Sequence, residues 1–196
     1  MFVQVIQGKV QDAELLLRQT ERWATEVKPG VQGYLGSTGG VTADGRSIWL
    51  ARFQSAEAAQ ANSSRPEQDA WWNETSKAYD GVPNFVDCTE VDELLGGGSN
   101  DAEFVQVIQG RAKNATQMRD MLAQAESDLH RERPDVLGGI VAWHDDNEFT
   151  QVVYFRSEAE ARRQEQLTSG TELANRLRDM TEATPTFYDL TDPRMD

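Results

Sequence analysis

The side chains that could do chemistry occur in pairs separated by 102 positions. Gln4 and Gln106 lie in two copies of the sequence FVQVIQG, and Asp87 and Asp189 lie in later segments with the same separation. An amide can donate to and accept from a carbonyl or hydroxyl group of a bound molecule. A carboxylate inside a closed cavity can accept a proton, because burial raises its pKa. These four residues are the candidates for catalysis, and the two glutamines are also candidates for ligand binding.

Hydrogen bonds and ion pairs within the protein would explain the same residues without a catalytic or ligand-binding role. Buried amides usually bond to protein groups, so Gln4 and Gln106 can instead bond each other, or a neighbouring Arg, where the two halves of the chain meet. Asp87 can pair with Arg52 or lie exposed at a sheet edge. Both interpretations stay open at this point.

Four further residues complete the candidate ligand-binding set. Arg52 and Tyr154 occupy equivalent positions on a predicted strand, and Trp72 and Tyr79 lie seven residues apart on one face of a predicted helix. Trp72 aligns with Ala174 in the second half of the chain, which suits a pocket wall. Aromatic residues at helical spacing belong to the core more often than to ligand sites, so the packing interpretation stays open as well.

No metal ion and no other cofactor is expected. The run His144-Asp145-Asp146, with Glu148, lies at the predicted tip of a hairpin, where acidic and amide side chains satisfy turn geometry. This position favours a solvated turn over a metal cluster. The lone Cys88 has no second cysteine to pair with, which agrees with a reducing compartment. The two histidines lack the partners of a catalytic triad.

The composition excludes several kinds of partner. The chain of 196 residues carries 19 Lys and Arg against 33 Asp and Glu, a net charge of −14. A strongly anionic surface repels phosphate backbones and acidic lipid headgroups, so neither nucleic acid nor a membrane is expected as a partner. The sequence shows no apolar run of about 18 residues and no cleavable leader, and we expect a cytoplasmic protein.

An internal repeat organises the chain. The segment at 2–8 returns unchanged at 104–110, which chance does not explain. Residues 29–33 resemble residues 134–138, but these two segments are separated by 105 positions instead of 102. This larger separation predicts that the second copy has three extra residues in its first helix and three fewer in the following hairpin.

A Gly-rich run divides the two copies. Residues 96–102 have the composition of a short flexible linker, between a domain at 1–95 and a domain at 103–196. Within each domain the hydrophobic period changes between strand and helix in the order β-α-β-β-α-β. The predicted fold class is therefore α+β, with two tandem ferredoxin-like domains packed sheet to sheet as an intramolecular barrel.

Alternation along the first strand predicts which side chains point into that barrel. Val3 and Val5 lie on one face and Gln4 lies on the other. The valine face suits burial beneath the helices. We therefore expect Gln4 to face the barrel interior.

The segments PGVQGY at 29–34 and FQSAEAA at 53–59 resemble the antibiotic biosynthesis monooxygenase family of dimeric α+β barrels. In that family two ferredoxin-like chains form a barrel that holds a small, often aromatic substrate. Some members oxidise the substrate without metal or flavin, others degrade haem, and many have no established activity. The haem-degrading members have an Asn on the first strand and a Trp and a His on the second helix. The corresponding positions here lie near Ile6, Asn62 and Trp71, and none of them carries the required residue type, so haem degradation is not expected.

The resemblance implies a protein that binds a small hydrophobic or aromatic molecule in the barrel. A cofactor-independent monooxygenase or isomerase acting on such a molecule is the alternative. Trp71 aligns with Leu173 and is expected in the core, but four of the five tryptophans lie in the first half. We therefore expect two unequal cavities, the first with more aromatic walls, and a ligand that contacts Trp72 and Gln4. A homo-oligomer of such chains also stays open.

Overall fold

The computed structural model describes residues 1–144 and 147–196, which form two compact units. Unit 1 contains Met1–Thr89 together with Thr191–Asp196, and unit 2 contains Glu90–Leu190. The chain thus enters unit 2 directly after Thr89 and returns to unit 1 for its last residues. The compact units and the sequence repeats therefore have different bounds.

Unit 1 has one antiparallel sheet and three α-helices. Its strands are β1 (Phe2–Lys9), β2 (Tyr34–Thr42), β3 (Arg46–Phe53) and β4 (Asn84–Cys88). Its helices are α1 (Ala13–Arg22), α2 (Ala56–Ser63) and α3 (Pro66–Thr75). The strands lie in the order β4-β1-β3-β2. Beyond β2, the backbones of Ser37 and Asp196 exchange two hydrogen bonds of 3.1 Å, so the last residues of the chain extend this sheet.

Unit 2 repeats the arrangement. Its strands are β5 (Glu90–Leu94), β6 (Phe104–Arg111), β7 (Val136–Trp143), β8 (Glu148–Phe155) and β9 (Thr186–Met195), of which the last continues into unit 1. Its helices are α4 (Ala115–Gln124), α5 (Glu126–Glu132), α6 (Glu158–Thr168) and α7 (Glu172–Asp179). The strands lie in the order β9-β6-β8-β7-β5. The α+β class and the tandem β-α-β-β-α-β order are thereby confirmed. No described helix has both the length and the apolar character that a membrane crossing requires.

Local sequence explains where the helices of unit 1 begin and end. Asp12 accepts a hydrogen bond from the Leu15 N–H at 2.8 Å, and Ser55 accepts one from the Ala58 N–H at 3.3 Å, so each caps a helix start. After α1 the chain continues as a π-helical turn at Trp23–Val27 and a 3-10 turn at Lys28–Gly30.

Strand register shows that the repeat has a constant separation. Tyr34 lies opposite Phe53, and Val136 lies opposite Phe155, so both strand pairs are related by 102 positions. The predicted three-residue insertion is therefore wrong, because the chain between the first two strands is equally long in both copies. The structural counterpart of Tyr34 is Val136, and Gly139 is the counterpart of Ser37.

The two faces of the first strand are reversed relative to the prediction. Phe2 packs with Ala59 of α2, and Ile108 packs against the helices of unit 2, so the face that carries Gln4 lies beneath the helices. Val3 and Val5 point to the opposite face and are 0% and 1% exposed. Because both faces of the strand are largely buried, alternation alone does not tell which one the helices cover.

Candidate functional site

Unit 1 holds a cavity of about 260 Å³ between its helices and its sheet. The floor comes from β1, β2 and β3, and the walls come from α1, α2, α3 and the π-helical turn. Its aromatic lining consists of Trp23, Tyr34, Trp49, Phe53, Trp71, Trp72 and Tyr79. The volume lies just below the usual range for small-molecule sites, which begins at about 300 Å³.

Six of these rings form a continuous series along the cavity. Successive centroids lie 5.1 to 6.3 Å apart in the order Phe53, Tyr34, Trp23, Trp71, Trp72 and Tyr79. Their planes are tilted by 39° to 69°, which are edge-to-face or oblique contacts rather than stacks. The faces and edges of these rings therefore line the cavity.

Trp49 forms the floor and depends on a glycine. A Cβ atom at Gly39 would lie 2.2 Å from Cδ2 of the Trp49 indole, so only glycine lets the ring lie across β2. The ring projects from the same sheet face as Ile6, its cross-strand neighbour. It therefore contributes an aromatic surface from the strand side of the cavity.

Two of the indoles are anchored to the protein and two are not. Trp23 donates its indole N–H to Gln68 Oε1 at 3.0 Å, and Trp71 donates to the Gln19 carbonyl at 2.7 Å. Within residues 1–144 and 147–196, the indole N–H groups of Trp49 and Trp72 make no hydrogen bond. Both can therefore donate to an acceptor on a bound molecule.

Asp196 closes one end of the cavity with a polar cluster. Its carboxylate accepts hydrogen bonds from Lys28 Nζ at 2.5 Å, the Tyr34 hydroxyl at 2.6 Å and the Ser37 N–H at 2.8 Å. Burial by itself raises the pKa of this carboxyl, but the bonds from Lys28 and Tyr34 outweigh it, so the pKa lies below the ordinary Asp value. Burial and the neighbouring carboxylate raise the pKa of the Tyr34 hydroxyl. At neutral pH the pair is therefore a neutral phenol donating to a carboxylate.

The candidate glutamines and aspartates bond to each other. Gln4 Nε2 donates to Asp87 Oδ1 at 2.8 Å, and Gln106 Nε2 donates to Asp189 Oδ1 at 2.9 Å. Asp87 and Asp189 are both exposed, so neither has the enclosure that a buried proton acceptor needs. Asp189 also forms an ion pair with Arg162. The glutamines thus take partners that neither earlier interpretation named.

Arg52 and Tyr154 do not line the cavity of unit 1. They lie directly opposite Val3 and Val105, on the sheet face away from the helices. Arg52 donates to the Asp196 main-chain oxygen at 3.2 Å and not to Asp87. The alternation of the strand turns them away from the rings of unit 1, and their role in ligand binding stays a prediction.

The cavity lining includes three of the predicted ligand-binding residues and one residue that was predicted for the core. Gln4, Trp72 and Tyr79 line the cavity, and so does Trp71, which was expected only in the core. Tyr79 is 5% exposed, and burial raises the pKa of its hydroxyl, which lies 3.2 Å from Ser47 Oγ.

Several lining residues were not predicted. Trp23 continues the helical spacing of Leu16 and Thr20 along α1, so its place in the wall was readable from the period. No sequence pattern indicates that Asp196 closes the cavity. The predicted turn at Asp145 and Asp146 lies outside the described residues.

Unit 2 fills the corresponding space with aliphatic side chains. At four cavity positions it has smaller or aliphatic residues: Leu122 for Thr20, Ala125 for Trp23, Leu173 for Trp71 and Leu177 for Thr75. These residues belong to one hydrophobic cluster together with Met118 and Phe149. The residues at these positions therefore differ between the two units, and the aromatic ones lie in the first half.

No protein-family model matches the sequence, and a search of curated proteins returned no match. Solved structures do match. A candidate monooxygenase from Lactobacillus acidophilus NCFM is 12% identical with a TM-score of 0.75, covering 97% of this chain and 92% of that one. A candidate monooxygenase from Fusobacterium nucleatum is 11% identical with a TM-score of 0.75, covering 100% and 93%.

An anthrone oxidase-like protein is 13% identical with a TM-score of 0.68, covering 99% of this chain and 92% of that one. Likeness at such low identity concerns the fold and not the activity. The chain therefore has, over nearly its full length, the fold of these three structures.

Proposed function

We propose that unit 1 binds a small, flat aromatic molecule in the cavity beneath its helices. The observation that carries this proposal is that every tryptophan of unit 1 lines one cavity of about 260 Å³. Ligand sites are typically apolar concavities with a few convergent polar groups. Here the polar groups are the two unpaired indole N–H groups, the Gln4 amide and the Tyr34 hydroxyl.

The shape of the cavity supports a molecule of one or two rings. Its volume is small for a ligand site, and its walls are rings held at oblique angles. Aromatic edges and faces attract each other in such arrangements, so a flat ring gains more there than an aliphatic chain of equal area. A hydroxyl or carbonyl on that ring can accept from Trp49 or Trp72.

Oxidation or isomerisation of the bound molecule has weaker support than binding. Either reaction needs a group that moves a proton beside the ligand. Asp87 lies exposed at the surface, and the Asp196 carboxylate already accepts from four donors. The raised pKa of Tyr34 also keeps its proton in place. We therefore infer a binding function and leave a reaction as the second alternative.

Tryptophan fluorescence tests the proposal. In a Trp143→Phe variant every remaining tryptophan lines the cavity. Titration with 2-naphthol is expected to change the emission saturably, and equal concentrations of cyclohexanol are expected to change it little.

A pair of aromatic deletions controls this titration. Trp72→Ala should weaken 2-naphthol binding by about tenfold, whereas Phe85→Ala should not. Phe85 touches the same indole, with centroids 5.1 Å apart, but it does not line the cavity. No saturable change, or equal losses in the two variants, contradicts the proposal.

A further inference from the structure

A second, open groove of about 550 Å³ adjoins the aromatic cavity of unit 1. Phe2, Glu57, Gln60 and Asp87 are among its lining residues. Its wall shares Gln4, Ala59 and Ser63 with the cavity. The groove and the cavity are thus neighbouring parts of one recess, with the Gln4–Asp87 pair where they meet.

Unit 2 places a guanidinium group at the corresponding position. Arg162 is the counterpart of Gln60, and its side chain forms an ion pair with Asp189, the counterpart of Asp87. The guanidinium carbon also lies 5.1 Å from the centre of the Phe104 ring. A carboxylate and an aromatic ring together make a favourable site for a cation. Unit 2 therefore supplies its own cation to this site.

Unit 1 keeps the carboxylate and the ring but has no cation there. Gln60 donates to Ser64 Oγ at 3.3 Å and so does not engage Asp87. Among the described residues no Lys, Arg or His side chain pairs with Asp87, whose one side-chain partner is the Gln4 amide. The ring of Phe2 corresponds to that of Phe104 and also lines the groove. An anionic position is thus left open beside the aromatic cavity.

We propose that this groove takes the cationic head of an aromatic ligand, an ammonium or guanidinium group, with Asp87 as its counter-ion. The inference rests on the proposed function, since the ring of the same molecule occupies the cavity. It narrows the ligand class from flat aromatic molecules to aromatic amines and guanidines. Asp87 is then a specificity-determining residue, and Gln4 holds its carboxylate in place.

Two probes of equal shape test this proposal on the full chain. Naphthalen-2-ylmethanol is neutral, and naphthalen-2-ylmethylamine is protonated at pH 7. The amine should bind about threefold more tightly at low salt, a modest factor because Asp87 is exposed. The preference should disappear at about 1 M NaCl, where ionic screening is strong.

Three variants locate the source of the preference. Asp87→Asn should remove the preference, so that the amine binds no more tightly than the alcohol. Gln60→Arg should remove it too, because the new guanidinium fills the groove as Arg162 does in unit 2. Asp80→Asn is the matched control: it removes the same charge from an exposed residue that pairs with Lys9, and it should keep the preference.

The outcomes separate this inference from the proposed function. Equal binding of amine and alcohol by the unmodified protein overturns the inference but leaves the aromatic site standing. A preference that survives in Asp87→Asn, or that falls equally in Asp80→Asn, shows attraction by the general negative charge and also overturns it. If neither probe binds, the proposed function fails and the inference falls with it.

Discussion

The two units share one element order and one strand register, yet they use the space between helices and sheet differently. In unit 1 the Tyr79 hydroxyl lies 3.2 Å from Ser47 Oγ. In unit 2 the counterpart of Tyr79 is the small Thr181, and the counterpart of Ser47 is the aromatic Phe149. The aromatic ring of this pair thus comes from the helical side in unit 1 and from a strand in unit 2. In unit 2 that ring joins an aliphatic cluster, and in unit 1 it ends a series of rings around a cavity.

The difference teaches that one backbone supports either a packed core or a cavity lined by aromatic rings. Branched aliphatic side chains interdigitate closely, as in ordinary protein interiors. Flat rings that meet at oblique angles fill space less completely, and each of the six rings in the series of unit 1 contacts a neighbouring ring. Side-chain replacement at a few positions is therefore enough to make the repeats unequal. The predictions below exchange or remove those side chains.

The largest expected effect is on the stability of the packed unit. Leu173→Ala should lower the free energy of unfolding by about 2–5 kcal/mol, because Leu173 is 8% exposed and its removal leaves a void. Trp71→Leu installs in unit 1 the residue that unit 2 has at Leu173. It should lower the free energy of unfolding by about 1 kcal/mol, because the indole hydrogen bond to the Gln19 carbonyl is lost while one side of that ring already faces a cavity. Urea unfolding measures both values. A larger loss for Trp71→Leu would contradict the contrast between the units.

A second effect appears at alkaline pH and belongs to unit 1, since Val136 replaces Tyr34 in unit 2. Burial and Asp196 raise the pKa of Tyr34 in the folded protein. A raised folded-state pKa contributes stability that is present below the unfolded pKa of about 10 and is lost as the pH rises beyond it.

Comparison with Tyr34→Phe isolates this effect. At pH 7 the variant should be less stable by about 1–3 kcal/mol, because it no longer donates to the Asp196 carboxylate. Above about pH 10 the unmodified protein should lose up to about 1.4 kcal/mol per pH unit more than the variant. Urea unfolding at several pH values gives both curves. Parallel curves would show that Tyr34 does not titrate in this way.

The smallest effect on stability comes from filling the cavity of unit 1. Thr20→Leu installs the residue that unit 2 has at Leu122, and the Thr20 hydroxyl donates to the Leu16 carbonyl of its own helix at 2.9 Å. We expect a gain of about 0.5–1 kcal/mol in unfolding free energy and about a tenfold loss of 2-naphthol affinity. Thr25→Leu, on an exposed position two residues beyond Trp23, serves as the control and should leave binding unchanged. Tight binding by Thr20→Leu would mean that the probe lies elsewhere.

Sequence reasoning predicted the architecture because its signals are local and appear twice. The repeated FVQVIQG strand, the helical periods and the turn residues all recur with the same separation, so element order followed directly. Sequence similarity between 29–33 and 134–138 gave a false insertion, since only strand pairing shows that Tyr34 and Val136 are equivalent.

The candidate site was only partly predictable. Trp72, Tyr79 and Gln4 were identified from helical spacing and from the repeat, and all three line the cavity. Which face of β1 the helices cover depends on what packs on each side, and Gln4 was therefore assigned to the wrong side. Asp196 lies 159 positions from Ser37, and no local pattern links two residues that only the sheet brings together.

The central claim is that aromatic ligands enter unit 1 and not the corresponding space of unit 2. The most direct test is a crystal of the full chain soaked with 6-bromo-2-naphthol and measured at the bromine absorption edge. The account predicts one anomalous peak per chain, inside the cavity bounded by Trp49 and Trp72. A peak within the Leu122, Leu173 and Phe149 cluster of unit 2, or peaks of equal height in both units, would contradict it.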